Sequence, residues 1–125
     1  MRLLLDSHVA VWMMAFPEKL RPSTRAALVS PENELFVSAA SLWELQLKVA
    51  KGKLLLPADF PDQLAEQDVR ELPVRWEHAR HVAGLPAHHA DPFDRLLLTQ
   101  AAAEGMTFVT ADRFCLQYPV ALMDA

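Results

Sequence analysis

Four acidic residues, Asp6, Glu44, Asp94 and Asp112, fall beside the joints between apolar runs and helix-forming stretches. Asp6 and Asp112 each follow a strand-like run, while Glu44 and Asp94 sit in the first turns of helices that can open onto the same edge. In an open α/β sheet that edge, at the carboxyl ends of the strands, is where ligands bind. Carboxylates gathered there repel: two unit charges about 4 Å apart cost on the order of 4 kcal/mol at an effective dielectric of 20. Such a cluster holds either protons or a cation. Oxygen ligands that need neither Cys nor His suit Mg²⁺ or Mn²⁺, which beside phosphate polarises the phosphoryl oxygen and generates hydroxide.

The elements that would position these acids can be read in order. Leu3-Leu4-Leu5 is an all-apolar run, as expected of a strand buried on both faces of a parallel sheet. Val9 to Phe16 reads as a short buried helix stopped by Pro17, and a second helix runs from Pro22 to about Val29 with Ser23 as its N-cap. Leu35-Phe36-Val37 is the second strand. Ser41 and Glu44 have the capping-box spacing at the head of a helix that Gly52 ends. Asp59 and Pro61 can start a helix through about Gln67, Val69 to Val74 a strand, and Trp76 to Ala83 a helix ending at Gly84. Asp91-Pro92-Phe93-Asp94 supplies an N-cap, a proline at the first helical position and an acid at the third, and the helix continues to Gly105. Met106 to Thr110 is a further strand. This alternation predicts an α/β/α sandwich around a mainly parallel sheet, in a single domain spanning residues 1–125.

Each acid also has an ordinary structural use. Glu44 can be a capping-box acid or the partner of Lys48 four residues on. Asp91 is read first as a structural N-cap, Asp94 as a favourable charge at a helix start, Asp112 as a turn residue and Asp6 as a cap. Their joint placement at successive joints is what favours chemistry.

Composition sets outer limits. With 125 residues, 52% hydrophobic and 22% charged, the chain matches neither a disordered nor a membrane-spanning protein. Its 12 basic and 16 acidic residues leave a net charge of −4, which argues against a surface that coats polyanions generally but not against a cation-bridged acidic site. The lone Cys115 closes no internal disulfide and is expected to be inert. The apolar start is too short for a signal peptide, so a cytoplasmic location is expected.

Four segments resemble the PIN domain, specifically VapC-type toxin ribonucleases of bacterial toxin–antitoxin pairs: Leu3-Leu4-Leu5-Asp6-Ser7-His8, Val37-Ser38-Ala39-Ala40-Ser41-Leu42-Trp43-Glu44, His88 to Leu98, and Val109-Thr110-Ala111-Asp112. The resemblance implies a PIN-type sandwich and Mg²⁺- or Mn²⁺-dependent cleavage of RNA by an activated water. Asp6, Glu44, Asp94 and Asp112 match that family's acidic quartet, Ser7 its small hydroxyl residue, and Asp91 an accessory acid. Ala90 departs from the pattern, standing where many relatives carry a basic residue. A cognate antitoxin, and a homodimer or toxin–antitoxin hetero-oligomer, are implied as partners.

Lys48, Lys51 and Lys53, with Arg95 and Arg113, could hold an RNA backbone or simply form a solvated cationic face. His88 and His89 could meet phosphate or a transition metal, but paired histidines in a loop are more often ordinary surface or packing. Trp12, Met13, Met14 and Phe16 are assigned to a buried helix rather than to a partner. Two rivals to the ribonuclease remain: a non-catalytic PIN-fold module regulating transcription through its antitoxin, and a phosphatase or receiver domain. The second lacks an acid two residues after Asp6.

Overall fold

The computed structural model describes every residue except His88, so that half of the paired-histidine reading lies outside the described residues. Five parallel strands, β1 (Arg2–Leu5), β2 (Glu34–Ser38), β3 (Val69–Leu72), β4 (Thr107–Thr110) and β5 (Leu122–Asp124), form one sheet in the order β3-β2-β1-β4-β5. Among the described residues, six α-helices accompany them: α1 (Ser7–Ala15), α2 (Pro22–Val29), α3 (Ala39–Ala50), α4 (Phe60–Glu66), α5 (Trp76–His81) and α6 (Pro92–Glu104). The period-2 alternation of the strands divides the core. Leu3 and Leu5 join Val9, Leu28, Leu45 and Phe60 on one face, while Leu4 joins Phe36, Leu97, Leu98 and Phe108 on the other. The result is the expected sandwich, with helices covering both faces of a wholly parallel sheet.

The strand order reverses at the centre. From β1 the chain steps outward to β2 and β3, then returns to place β4 on the opposite side of β1. The crevice for a ligand therefore opens between the carboxyl ends of β1 and β4.

Several local expectations need correction. The α3 helix begins at Ala39, and Ser38 caps it by accepting from the Ala40 amide at 3.1 Å. Ser41 and Glu44 therefore lie inside the helix, and the capping box predicted for them does not form. Arg21, not Ser23, precedes α2, and no side chain caps that helix. The α1 helix ends at Ala15 and is not buried all round: Ser7, Val9 and Ala10 are buried, Trp12, Met13 and Met14 are half-buried, and Phe16, just beyond it, is exposed. The β5 strand was not anticipated. Its three residues are held in place by the Ala125 amide donating to Thr110 O at 2.9 Å and by Thr24 Oγ1 donating to Asp124 O at 2.7 Å. None of the described helices is long and apolar enough to cross a membrane.

Candidate active site

The crevice between β1 and β4 holds a cavity of about 300 Å³ whose walls include Asp6, Glu44, Asp91, Asp94 and Asp112. Asp6 leaves β1 in extended geometry, and its amide donates to Val109 O across the switch point at 3.0 Å. Its carboxylate caps nothing. Instead Oδ2 accepts from Thr110 Oγ1 at 2.8 Å, and Oδ1 lies 3.3 Å from Ser7 Oγ. The Ser7 hydroxyl makes its shorter bond, 2.7 Å, to Glu44 Oε1, so one side chain ties the acid of β1 to the acid of α3. Lys48, one turn beyond Glu44, places Nζ 4.0 Å from Glu44 Oε2 and 3.2 Å from His8 Nε2.

The α6 helix delivers the third acid. Asp91 Oδ1 accepts from the Phe93 amide at 2.8 Å and the Asp94 amide at 3.4 Å, the N-cap geometry expected before Pro92. This capping fixes the turn from which Asp94, only 7% exposed, reaches the crevice. Asp112 lies just beyond β4. Its Oδ1 accepts from the Phe114 amide at 2.8 Å, as a turn aspartate does, which leaves Oδ2 for the site.

His89 joins these two acids, contrary to its reading as ordinary surface. Its Nε2 lies 2.8 Å from Asp94 Oδ2 and 3.1 Å from Asp112 Oδ2, and its ring stacks on Phe114 with centroids 5.2 Å apart. The Asp91 amide faces Nδ1 at 3.4 Å, an arrangement that places the proton on Nε2, toward the carboxylates. The ligand atoms of His89, Asp94, Asp112 and Cys115 all lie within 4.8 Å of one another.

Crowding shows in the protonation of the group. Burial raises Asp6 above the usual carboxylate range, against the bond from Thr110. Burial, followed by the charges of Asp6 and Asp91, pushes Asp94 up to about 7. Burial opposes the His89 imidazolium, but the bond to Asp94 and the charges of Asp112 and Asp94 outweigh it and raise its pKa. Burial and the neighbouring carboxylates also raise the Cys115 thiol, which stays protonated as an inert side chain should.

The basic residues divide. Lys48 stands beside the acids, whereas Lys51, Lys53 and Arg113 are exposed. Arg95 corrects the expectation of a free phosphate contact. Its guanidinium donates to Pro86 O at 2.9 Å, Val82 O at 3.1 Å, Leu85 O at 3.2 Å and the Tyr118 hydroxyl at 3.2 Å, clasping the loop that leads to His89. Thr110, which orients Asp6 and also accepts from the Asp112 amide at 3.1 Å, was not singled out from the sequence. Its position as the last residue of β4 was the available signal.

Comparison with known proteins agrees with this architecture. The PIN domain family model matches residues 3–117. The chain belongs to the PIN domain family. It is 35% identical over 114 residues to Ribonuclease VapC22 of Mycobacterium tuberculosis, covering 88% of this chain and 86% of that protein. Among solved structures, VapBC2 from Rickettsia felis, bound to a DNA fragment from its promoter, superposes with a TM-score of 0.74 at 19% identity, covering 100% of this chain and 99% of that one. FitAcB from Neisseria gonorrhoeae gives 0.62 at 23% identity, covering 98% of this chain and 96% of that one. These PIN-fold likenesses extend over the whole sandwich.

Proposed function

We propose that this protein is a divalent-metal-dependent endoribonuclease, the toxin of a toxin–antitoxin pair, acting in the cytoplasm as one PIN domain over residues 1–125. The observation that carries the proposal is the convergence of Asp6, Glu44, Asp94 and Asp112 on one crevice at the strand-order switch point, in a chain 35% identical to a ribonuclease. The donor chemistry fits Mg²⁺ or Mn²⁺: the four groups are carboxylates, and burial, followed by the charges of Asp6 and Asp91, raises Asp94 to about 7, a cost that a cation among these acids would relieve.

Asp6, Glu44, Asp94 and Asp112 would hold the metal. When bound, it supplies the positive charge that activates a water against the phosphorus and stabilises the leaving oxygen. The remaining work falls to the chain. Thr110 and Ser7 fix the Asp6 and Glu44 carboxylates, the Asp91 cap fixes the turn that carries Asp94, and His89 holds Asp94 and Asp112 together. Lys48 can meet a phosphate oxygen at the rim, and exposed Arg113 a more distant one. A cognate antitoxin belongs to the same proposal, through the likeness of the four motif segments to VapC-type toxins, as does assembly into a homodimer or hetero-oligomer.

The test is cleavage of single-stranded RNA by the purified chain with Mn²⁺ or Mg²⁺, with and without excess chelator. Cleavage abolished by chelator and restored by metal is expected. Metal binding without any cleavage would leave the non-catalytic module as the better account.

A further inference from the structure

Beside the acidic crevice lies a second cavity of about 240 Å³ with the opposite character. His8 and Trp12, four residues apart, share one face of α1, and Phe16 lines the same cavity from just beyond the helix end. Lys19, Lys48 and Lys53 join apolar Val11, Leu45 and Leu54 in the wall, and among the described residues no carboxylate lines it, although acids outnumber bases in the whole chain by 16 to 12. Lys19 Nζ lies 4.9 Å from the Phe16 ring centroid and 5.9 Å from that of Trp12. The His8 and Trp12 rings are 6.4 Å apart at 54°. His8, Trp12 and Lys48 line both cavities, so the two lie side by side.

The Lys19 ammonium over aromatic faces, in a lysine-lined cavity beside a site for phosphodiester cleavage, combines the two elements by which proteins hold unpaired nucleic acid: charge for the backbone and a ring for the base. We propose that this cavity is the subsite for the nucleotide flanking the scissile phosphate of a single-stranded RNA, with its base on Trp12 and its phosphate on Lys19 and Lys53. The proposal rests on the ribonuclease reading of the acidic crevice. A paired helix is too wide for a space of this size, so the substrate at this point is a loop, an end or another unpaired segment. An acidic peptide could answer the lysines, but it would leave unexplained both the aromatic rings of the wall and their place beside the acids.

The test is fluorescence anisotropy of the full chain with a labelled single-stranded RNA of about twelve nucleotides, in chelator so that binding is read without cleavage. Trp12→Ala is expected to weaken binding on the order of 10- to 100-fold, the range for losing one stacked base. The double variant Lys19→Gln/Lys53→Gln, at two exposed positions that leave the core intact, is expected to reduce the slope of log affinity against log salt by about 0.7, the value for one phosphate contact on a single strand. With Mn²⁺ present, both variants are expected to raise KM more than they lower kcat. Wild-type affinity and an unchanged salt slope in the lysine variant would overturn the subsite. So would variants that bind RNA normally but no longer co-purify with the antitoxin, because the cavity would then belong to a protein partner. A wild-type chain that neither binds nor cleaves RNA with Mn²⁺ marks failure of the ribonuclease reading itself, whereas unaltered variants of an active wild type sink the subsite alone.

Discussion

Replacing Asp94 with Asn should stabilise the metal-free protein at alkaline pH and lose most of that benefit in acid. Asp94 has a carboxyl pKa of about 7 in the folded chain against 3.8 when unperturbed. Between those values the folded protein keeps a proton that the unfolded chain has released, so stability falls as pH rises through the window. At about 1.36 kcal/mol per unit, the ionised side chain costs the fold at most about 4 kcal/mol above pH 7, but only about 1.6 kcal/mol at pH 5. That cost already includes the favourable bond from His89, so Asn forfeits beyond it only about 1 kcal/mol of helix-dipole attraction. The net gain at pH 8 is at most about 3 kcal/mol, or roughly 12 °C in melting temperature for a domain of this size. At pH 5 the gain should shrink to less than about 1 kcal/mol. Thermal melts of both proteins in chelator across this pH range make the measurement. A variant less stable at pH 8, or a difference that does not move with pH, would refute the claim that crowded carboxylates strain this crevice.

Millimolar Mg²⁺ or Mn²⁺ should raise the wild-type melting temperature at pH 8, because a ligand that binds only the folded state stabilises it, and should raise that of Asp94→Asn less. Equal shifts in both proteins, read in the same melts, would count against Asp94 as a ligand. Asp91→Ala should lower stability by about 1 kcal/mol through loss of the amide bonds from Phe93 and Asp94, with RNA cleavage largely kept. A fully stable but inactive Asp91→Ala would move the metal contact to Asp91.

The parts of the fold legible in the sequence were those with a local cause. The Leu3-Leu4-Leu5 run, the Asp91-Pro92 start of α6 and the left-handed Gly105 that ends it are each fixed by side chains within a turn of the feature they specify. Ser41 misled because its spacing to Glu44 satisfies the capping rule. Ser38, three residues earlier, takes the cap because β2 ends there and leaves the Ala40 amide free. The β5 strand carries no signal of its own, since its three residues are strand only through bonds to β4 and α2. The acids were legible because strand ends and helix starts are local, while the partners that aim them are not. Thr110 meets Asp6 across 104 residues of sequence and His89 meets Asp112 across 23. Arg95 illustrates the converse: a base beside an acid in sequence suggests phosphate binding, but the carbonyls of Val82, Leu85 and Pro86 claim its donors.

Asp6 is the acid that the fold commits most firmly, at 4% exposure, hydrogen-bonded to Thr110 and adjoining the Ser7 link to Glu44. The most direct test is single-turnover cleavage of a single-stranded RNA by wild type and Asp6→Asn at saturating Mn²⁺, each checked for intact folding by its melting curve. Wild-type cleavage that chelator abolishes, with a folded Asp6→Asn at background, is the expected result; a folded Asp6→Asn that cleaves at the wild-type rate would contradict the acidic crevice as the seat of chemistry.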